Sequence, residues 1–310
     1  MRSASNRARV GLLASVTALA AFASVGSATA ATSLNGNWAP FTRCPVDAPA
    51  MLAADGKTDT ALCLSSHSAS GSIKLGNSVV PTGASDLQVG VVTHTGGSTT
   101  VVSPSGGALI ADSADIPGGL LGLMCPSDIP VITGICNQLT NVSLNRVTAT
   151  VESVNTPTDF QLLAGTTTGK PIITLPVRIH LENPFLGDKC YIGTSSDPIL
   201  LRPQNLTKPT VSTQRFDGDG TTSTTGPMGR ISLIGANQND AAYAVPGASG
   251  CGLGLLNWAV NLKTGLPSAS GNNNVTLDNA QTYVATINNP GSVAPDAGKL
   301  LSQYWHSAAQ

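Results

Sequence analysis

Glu152 and Glu182 are the only glutamates among 310 residues, and that scarcity argues against a helix-rich fold. Helical surfaces draw on Glu, Lys, Arg and Gln, whose straight side chains lose little freedom in a helix. Here charged residues make up 11% of the chain, against about 25% in ordinary soluble domains. The positions they vacate go to Ser, Thr, Asn and Gly, which suit strands, turns and loops. The expected class is mainly β, an antiparallel β-sandwich or barrel-like fold with a few short helices.

The first thirty residues have the three zones of a secretory signal peptide: Arg2, Arg7 and Arg9, an apolar run from Val10 to about Val25, and small residues ending in Ala28-Thr29-Ala30. Cleavage after Ala30 leaves residues 31–310 as the expected mature domain, secreted and without a transmembrane segment. If that domain divides, the boundary falls near Asp112 to Gly119. Export makes disulfides the default state of the six cysteines. Pairing neighbours along the chain gives Cys44 with Cys63, Cys125 with Cys136, and Cys190 with Cys251. No C-x-x-C spacing suggests zinc.

Loss of Arg2, Arg7 and Arg9 leaves 13 Lys plus Arg against 17 Asp plus Glu, with no basic block, so nucleic-acid binding lacks its electrostatic footprint. Alternation around Gly, Pro and Asn breaks predicts two or three strands over Gly71 to Val92, continued by Val101 to Ile110. Further strands are predicted at Ser143 to Val154, Pro171 to Leu181, Pro198 to Arg202, Arg230 to Ile234, Asn274 to Leu277 and Thr282 to Ile287. Of these, Pro171 to Leu181 has the clearest period of two, with Val177, Ile179 and Leu181 opposite Arg178 and His180. Short helices are expected at Ser127 to Leu139, Leu253 to Thr264 and Asp296 to Ser307. Asp217 to Gly229, polar and rich in Gly and Thr, reads as a flexible loop.

Catalytic signatures are missing, and no catalytic or cofactor-binding residue is assigned. None of His67, His94, His180 or His306 sits in a metal-binding spacing, and a surface or structural role is expected for each. The segment Gly247-Ala248-Ser249-Gly250-Cys251 fails the nucleophile-elbow pattern at its last position. Glu152 and Glu182 read as solvated strand residues, although a dispersed acid pair would suit a glycosidase. Asp217-Gly218-Asp219-Gly220 is the one metal-like pattern: Asp217 and Asp219 offer hard oxygen ligands to Ca²⁺, but Met228 stands where an EF-hand needs its closing Glu, so a plain turn is favoured. The apolar stretch IPGGLLGLM, Ile116 to Met124, reads first as buried packing and second as a loop touching lipid.

The phrases CPVDAPAMLAADG at Cys44, IPGGLLGLMCPSDIP at Ile116, VRIHLENPFLGDKCYIGTSSDPILLRP at Val177 and VPGASGCG at Val245 resemble secreted proteins of actinobacteria such as streptomycetes. That resemblance implies export from a Gram-positive, high-GC bacterium and carries no activity, ligand or catalytic residue. The leading expectation is a non-enzymatic extracellular or cell-envelope protein that binds or scaffolds an unknown ligand, in contact with cell wall or lipid. A secreted hydrolase with a dispersed carboxylate pair and a lipid-binding β module are the alternatives. The hydrolase predicts a cleft where carboxylates converge, and the lipid binder predicts an apolar cavity.

Overall fold

A computed structural model describes residues 33–125, 134 and 142–310. The expected signal peptide lies outside the described residues, as do Cys136 and, Gly134 apart, the expected helix Ser127 to Leu139. Residues 32–310 cluster as one compact unit.

Two antiparallel sheets form the sandwich. The larger runs in the order β12 (Gln204–Asn205), β14 (Met228–Asp240), β16 (Asn274–Ile287), β1 (Asp59–Ser68), β4 (Ser85–His94) and β5 (Thr99–Val102). β13 (Thr210–Phe216) also pairs with β14, β6 (Leu109–Ala111) with β4, β2 (Ser70–Leu75) with β16, and β3 (Ser78–Thr82) with β2. The smaller sheet has the order β15 (Ala248–Ser249), β10 (Tyr191–Ile192), β9 (Leu175–Glu182), β8 (Thr148–Ser153) and β7 (Ala114–Asp115), with β11 (Ile199–Leu201) also on β9. Asp112 to Gly119 is the passage from one sheet to the other.

β1 is the centre of the molecule. Leu62 and Leu64 face a cluster with Val89, Val91, Phe160 and Val284, while Ala61 and Cys63 face one with Trp38, Phe41, Met51 and Leu301. Both faces are covered, so its five consecutive buried residues show no alternation. The outer cover is made of the chain ends. Trp38 meets Phe41 and Phe216 edge-on at 6.0 and 5.4 Å. The C-terminal helix Ala297–Ser307 buries Leu301 there, and its Trp305 Nε1 donates to the Phe41 carbonyl at 2.8 Å. At Gly90 a Cβ would press on the Met51 sulfur, so glycine lets this cover sit close on β4.

Several expected boundaries move. The segment Ser143 to Val154 opens with a helical turn, Val142–Asn145, and β8 starts only at Thr148. There the Asn183 amide donates to the carbonyls of Leu144 and Arg146, capturing backbone that a longer strand would use. Asn274 to Leu277 and Thr282 to Ile287 are one fourteen-residue strand, bent where its register against β14 shifts between Ile234 and Gln238. Arg230 to Ile234 is part of the first half of the longer β14. Pro171 to Leu181 becomes regular strand only from Leu175. The expected helix Leu253 to Thr264 begins at Asn257, because Gly252 and Leu253 both adopt left-handed backbone. β1 and β13 were not foreseen.

The disulfides Cys44–Cys63 and Cys190–Cys251 form as expected. Cys125 is also disulfide-bonded. Asp217 to Gly229 is tied down: Arg215 donates to the Thr225 and Gly226 carbonyls, and β14 begins inside the segment at Met228. IPGGLLGLM packs inward as the helix Gly119–Met124, with Leu120 and Leu123 buried.

Candidate functional site

Three neighbouring apolar cavities lie in a row along the inner face of the larger sheet. The first, about 70 Å³, sits under the segment Phe160 to Leu175, against Leu64, Leu87, Leu233 and Ala280. A second of about 70 Å³ shares with it the wall residues Ser85, Leu109, Leu175, Pro203 and Leu277. The third, about 30 Å³, shares Ile73, Thr82, Ala111 and Val151 with the second and reaches Ile179 and Leu181 of β9. Native interiors have few voids larger than a water molecule, so a row of three is unusual.

The walls are chemically quiet because their polar groups bond to one another. Gln238 Nε2 donates to Asn205 Oδ1 at 3.0 Å, and the Asn205 amide donates to the Gly165 and Thr167 carbonyls at 2.7 and 3.1 Å. Ser66 and Thr282 share a 2.8 Å bond across β1 and β16. Thr82 differs. Its Oγ1 is buried with no hydrogen-bond partner, and it belongs to the wall shared by the second and third cavities. An unpaired buried hydroxyl costs about 1 to 3 kcal/mol, which a partner in the cavity would relieve.

The two glutamates meet on the outer face of the smaller sheet. His180 Nδ1 lies 3.4 Å from Glu152 Oε1 and 3.7 Å from Glu182 Oε1. The two Oε1 atoms are thus no more than about 7 Å apart, inside the upper limit of roughly 10 Å for glycosidic acid pairs. Two features separate them from such a pair. Arg178 already holds the Glu152 carboxylate at 2.8 Å, and neither glutamate lines any of these cavities. Arg178 also lies 4.0 Å over the Tyr191 ring, on which His180 stacks at 4.5 Å. The cluster is an interlocked polar surface.

Ser249 pairs with Tyr191 in β15, and no hydrogen bond among the described residues joins its hydroxyl to a histidine. Asp217 and Asp219 lie in a turn that receives the chain ends: the Gly218 carbonyl accepts from Trp38 Nε1 and Ser307 Oγ, and the Gly220 carbonyl accepts from the backbone and amide of Asn37. Asp219 accepts the Thr221 N–H at 2.9 Å, which lowers its pKa. Among the described residues no group of three His, Cys, Asp or Glu side chains is placed to hold a metal ion. His67 is exposed, and His306 contacts Asp47.

Sequence reading missed a three-residue relay on the larger sheet. Asp59 Oδ1 lies 2.8 Å from His94 Nδ1, and His94 Nε2 lies 2.8 Å from Thr100 Oγ1. These are the distances of an orienting acid, a base and a nucleophile. Thr100 is exposed on β5 at the end of the sheet, away from the cavities. Only the pairing of β1, β4 and β5 brings the three together, so no sequence spacing announces them. Among the described residues no helix is long and apolar enough to cross a membrane. Comparison with protein-family models, curated proteins and solved structures found no match to this chain.

Proposed function

We propose that this chain is a secreted, non-enzymatic binding module that holds a slender apolar molecule, an alkyl or acyl chain with one hydrogen-bonding group, between its two β layers. The row of cavities carries this reading. Left unfilled, their apolar walls forgo the contact energy that packed neighbours would give. An apolar guest recovers that energy, and Thr82 Oγ1 meets its polar group. The disulfides support an extracellular setting.

The test is a titration with cis-parinaric acid, a fluorescent fatty acid, alongside native mass spectrometry of the purified protein. Saturable one-to-one binding, displaced by palmitate and weakened roughly tenfold by Thr82→Val, is the expected result. No saturable binding by a folded sample would overturn the proposal.

The Asp59, His94 and Thr100 relay favours a second reading, a hydrolase acting on exposed esters. It requires turnover of p-nitrophenyl acetate that is lost in both His94→Ala and Thr100→Ala. Equal background rates in all three proteins would remove it.

A further inference from the structure

The turn between β15 and the helix Asn257–Thr264 exposes leucines on a fixed base. Leu253 is 99% exposed, Leu255 74%, Leu262 76% and Trp258 41%. Leu255, Trp258 and Leu262, spaced three and four apart, fall on one face of the helical stretch, while Leu256, Ala259 and Val260 are buried on the other. Leu253 also holds a left-handed backbone, φ +58°, which leucine adopts at a cost. Among the described residues no packing repays the strain or the exposure.

The base beneath is rigid. Cys251 is bonded to Cys190, its N–H donates to Asn257 Oδ1 at 2.8 Å, and the Gly252 N–H donates to the Leu186 carbonyl at 2.7 Å. The surface is therefore a preformed convex tip. Its charge is sparse: between Asp240 and Asp278 the single charged residue is Lys263. Lys189, against which Gly250 packs, adds a second cation, with Asp188 the one acid of that turn. Neither lysine is in an ion pair among the described residues. A convex apolar tip needs a hollow in a protein partner, but it enters a lipid interface directly, where indole rings and lysines settle at the headgroup level.

We infer that Leu253, Leu255, Trp258 and Leu262 seat this protein on a lipid surface bearing anionic headgroups, with Lys263 and Lys189 at the phosphate level. The surface lies outside the cavity walls named above and does not depend on their occupancy.

Vesicle flotation of residues 31–310 tests it, with phosphatidylcholine vesicles containing or lacking phosphatidylglycerol. The expected result is binding that increases with phosphatidylglycerol and a blue shift in tryptophan emission. Trp258 dominates that shift, since Trp38 is buried and Trp305 bonds to Phe41. The double variant Leu253→Asp, Leu255→Asp alters only exposed side chains, so it should keep the wild-type circular dichroism while losing roughly tenfold or more of its binding. Lys263→Glu should weaken binding several-fold on the anionic vesicles alone. Three results would overturn the inference: no flotation with either vesicle, flotation unchanged by the double variant, or lipid-free self-association that the double variant abolishes. The last would assign the tip to a second copy of the chain.

Discussion

The Asp47 carboxylate meets the His306 imidazole at 2.9 Å and accepts the Ser302 hydroxyl at 2.6 Å, joining the start of the outer cover to its closing helix. The Ser302 bond chiefly, with His306 adding to it, holds the Asp47 carboxyl below the ordinary carboxylate range. A depressed folded value stabilises above the unfolded one, and that contribution disappears as pH falls through the folded value. Asp47→Asn should therefore destabilise the protein near neutrality, by no more than about 1 kcal/mol because the pair is solvent-exposed. Thermal melts of the two proteins should converge in strong acid, and a constant gap across pH would refute the assignment.

Gly298 lies in the first turn of the C-terminal helix, and a Cβ there would fall on the Met51 carbonyl. In an open helix Gly→Ala stabilises by about 1 kcal/mol. Here Gly298→Ala should destabilise by about 1 to 3 kcal/mol, since the obstacle is backbone. A urea midpoint at or above that of the wild type would show that the helix can shift.

The two described disulfides close loops of different length, 61 residues for Cys190–Cys251 and 19 for Cys44–Cys63. In the chain-entropy model, replacing both members with Ala costs about 4 kcal/mol for the first and about 3 for the second. Guanidinium unfolding of the two double variants should rank them in that order.

Ala280 is buried in the wall of the first cavity. Ala280→Val adds two methyl groups to a void rather than to a filled core, and should stabilise by about 1 kcal/mol. The same change should weaken parinaric acid binding. A fall in melting temperature would mean that the space is closed at that wall.

β9 was legible because one face of Val177, Ile179 and Leu181 is buried while Arg178 and His180 keep contact with water, so the period of two survives. β1 was not, because Ala61 and Cys63 enter one cluster and Leu62 and Leu64 the other, which erases the polar stripe that marks a strand. Cys44–Cys63 and Cys190–Cys251 could be read by pairing neighbours. Thr82 and the relay through His94 arise only from strand registry, which no local pattern encodes. The exposed tip was half visible: the run GLGLLNWAVNL looked helical, but the left-handed turn at Gly252 and Leu253 delays the helix and turns the leucines outward.

The central pair of the larger sheet joins positions more than two hundred residues apart, as in Leu62 opposite Thr286. A chain emerging from its N-terminus first must hold one edge of β1 open until nearly its whole length has been delivered. Its assembly is therefore a late, all-at-once event, slow by the rule that distant contacts delay folding. Such lateness leaves its apolar centre open to aggregation until the final helix closes over it.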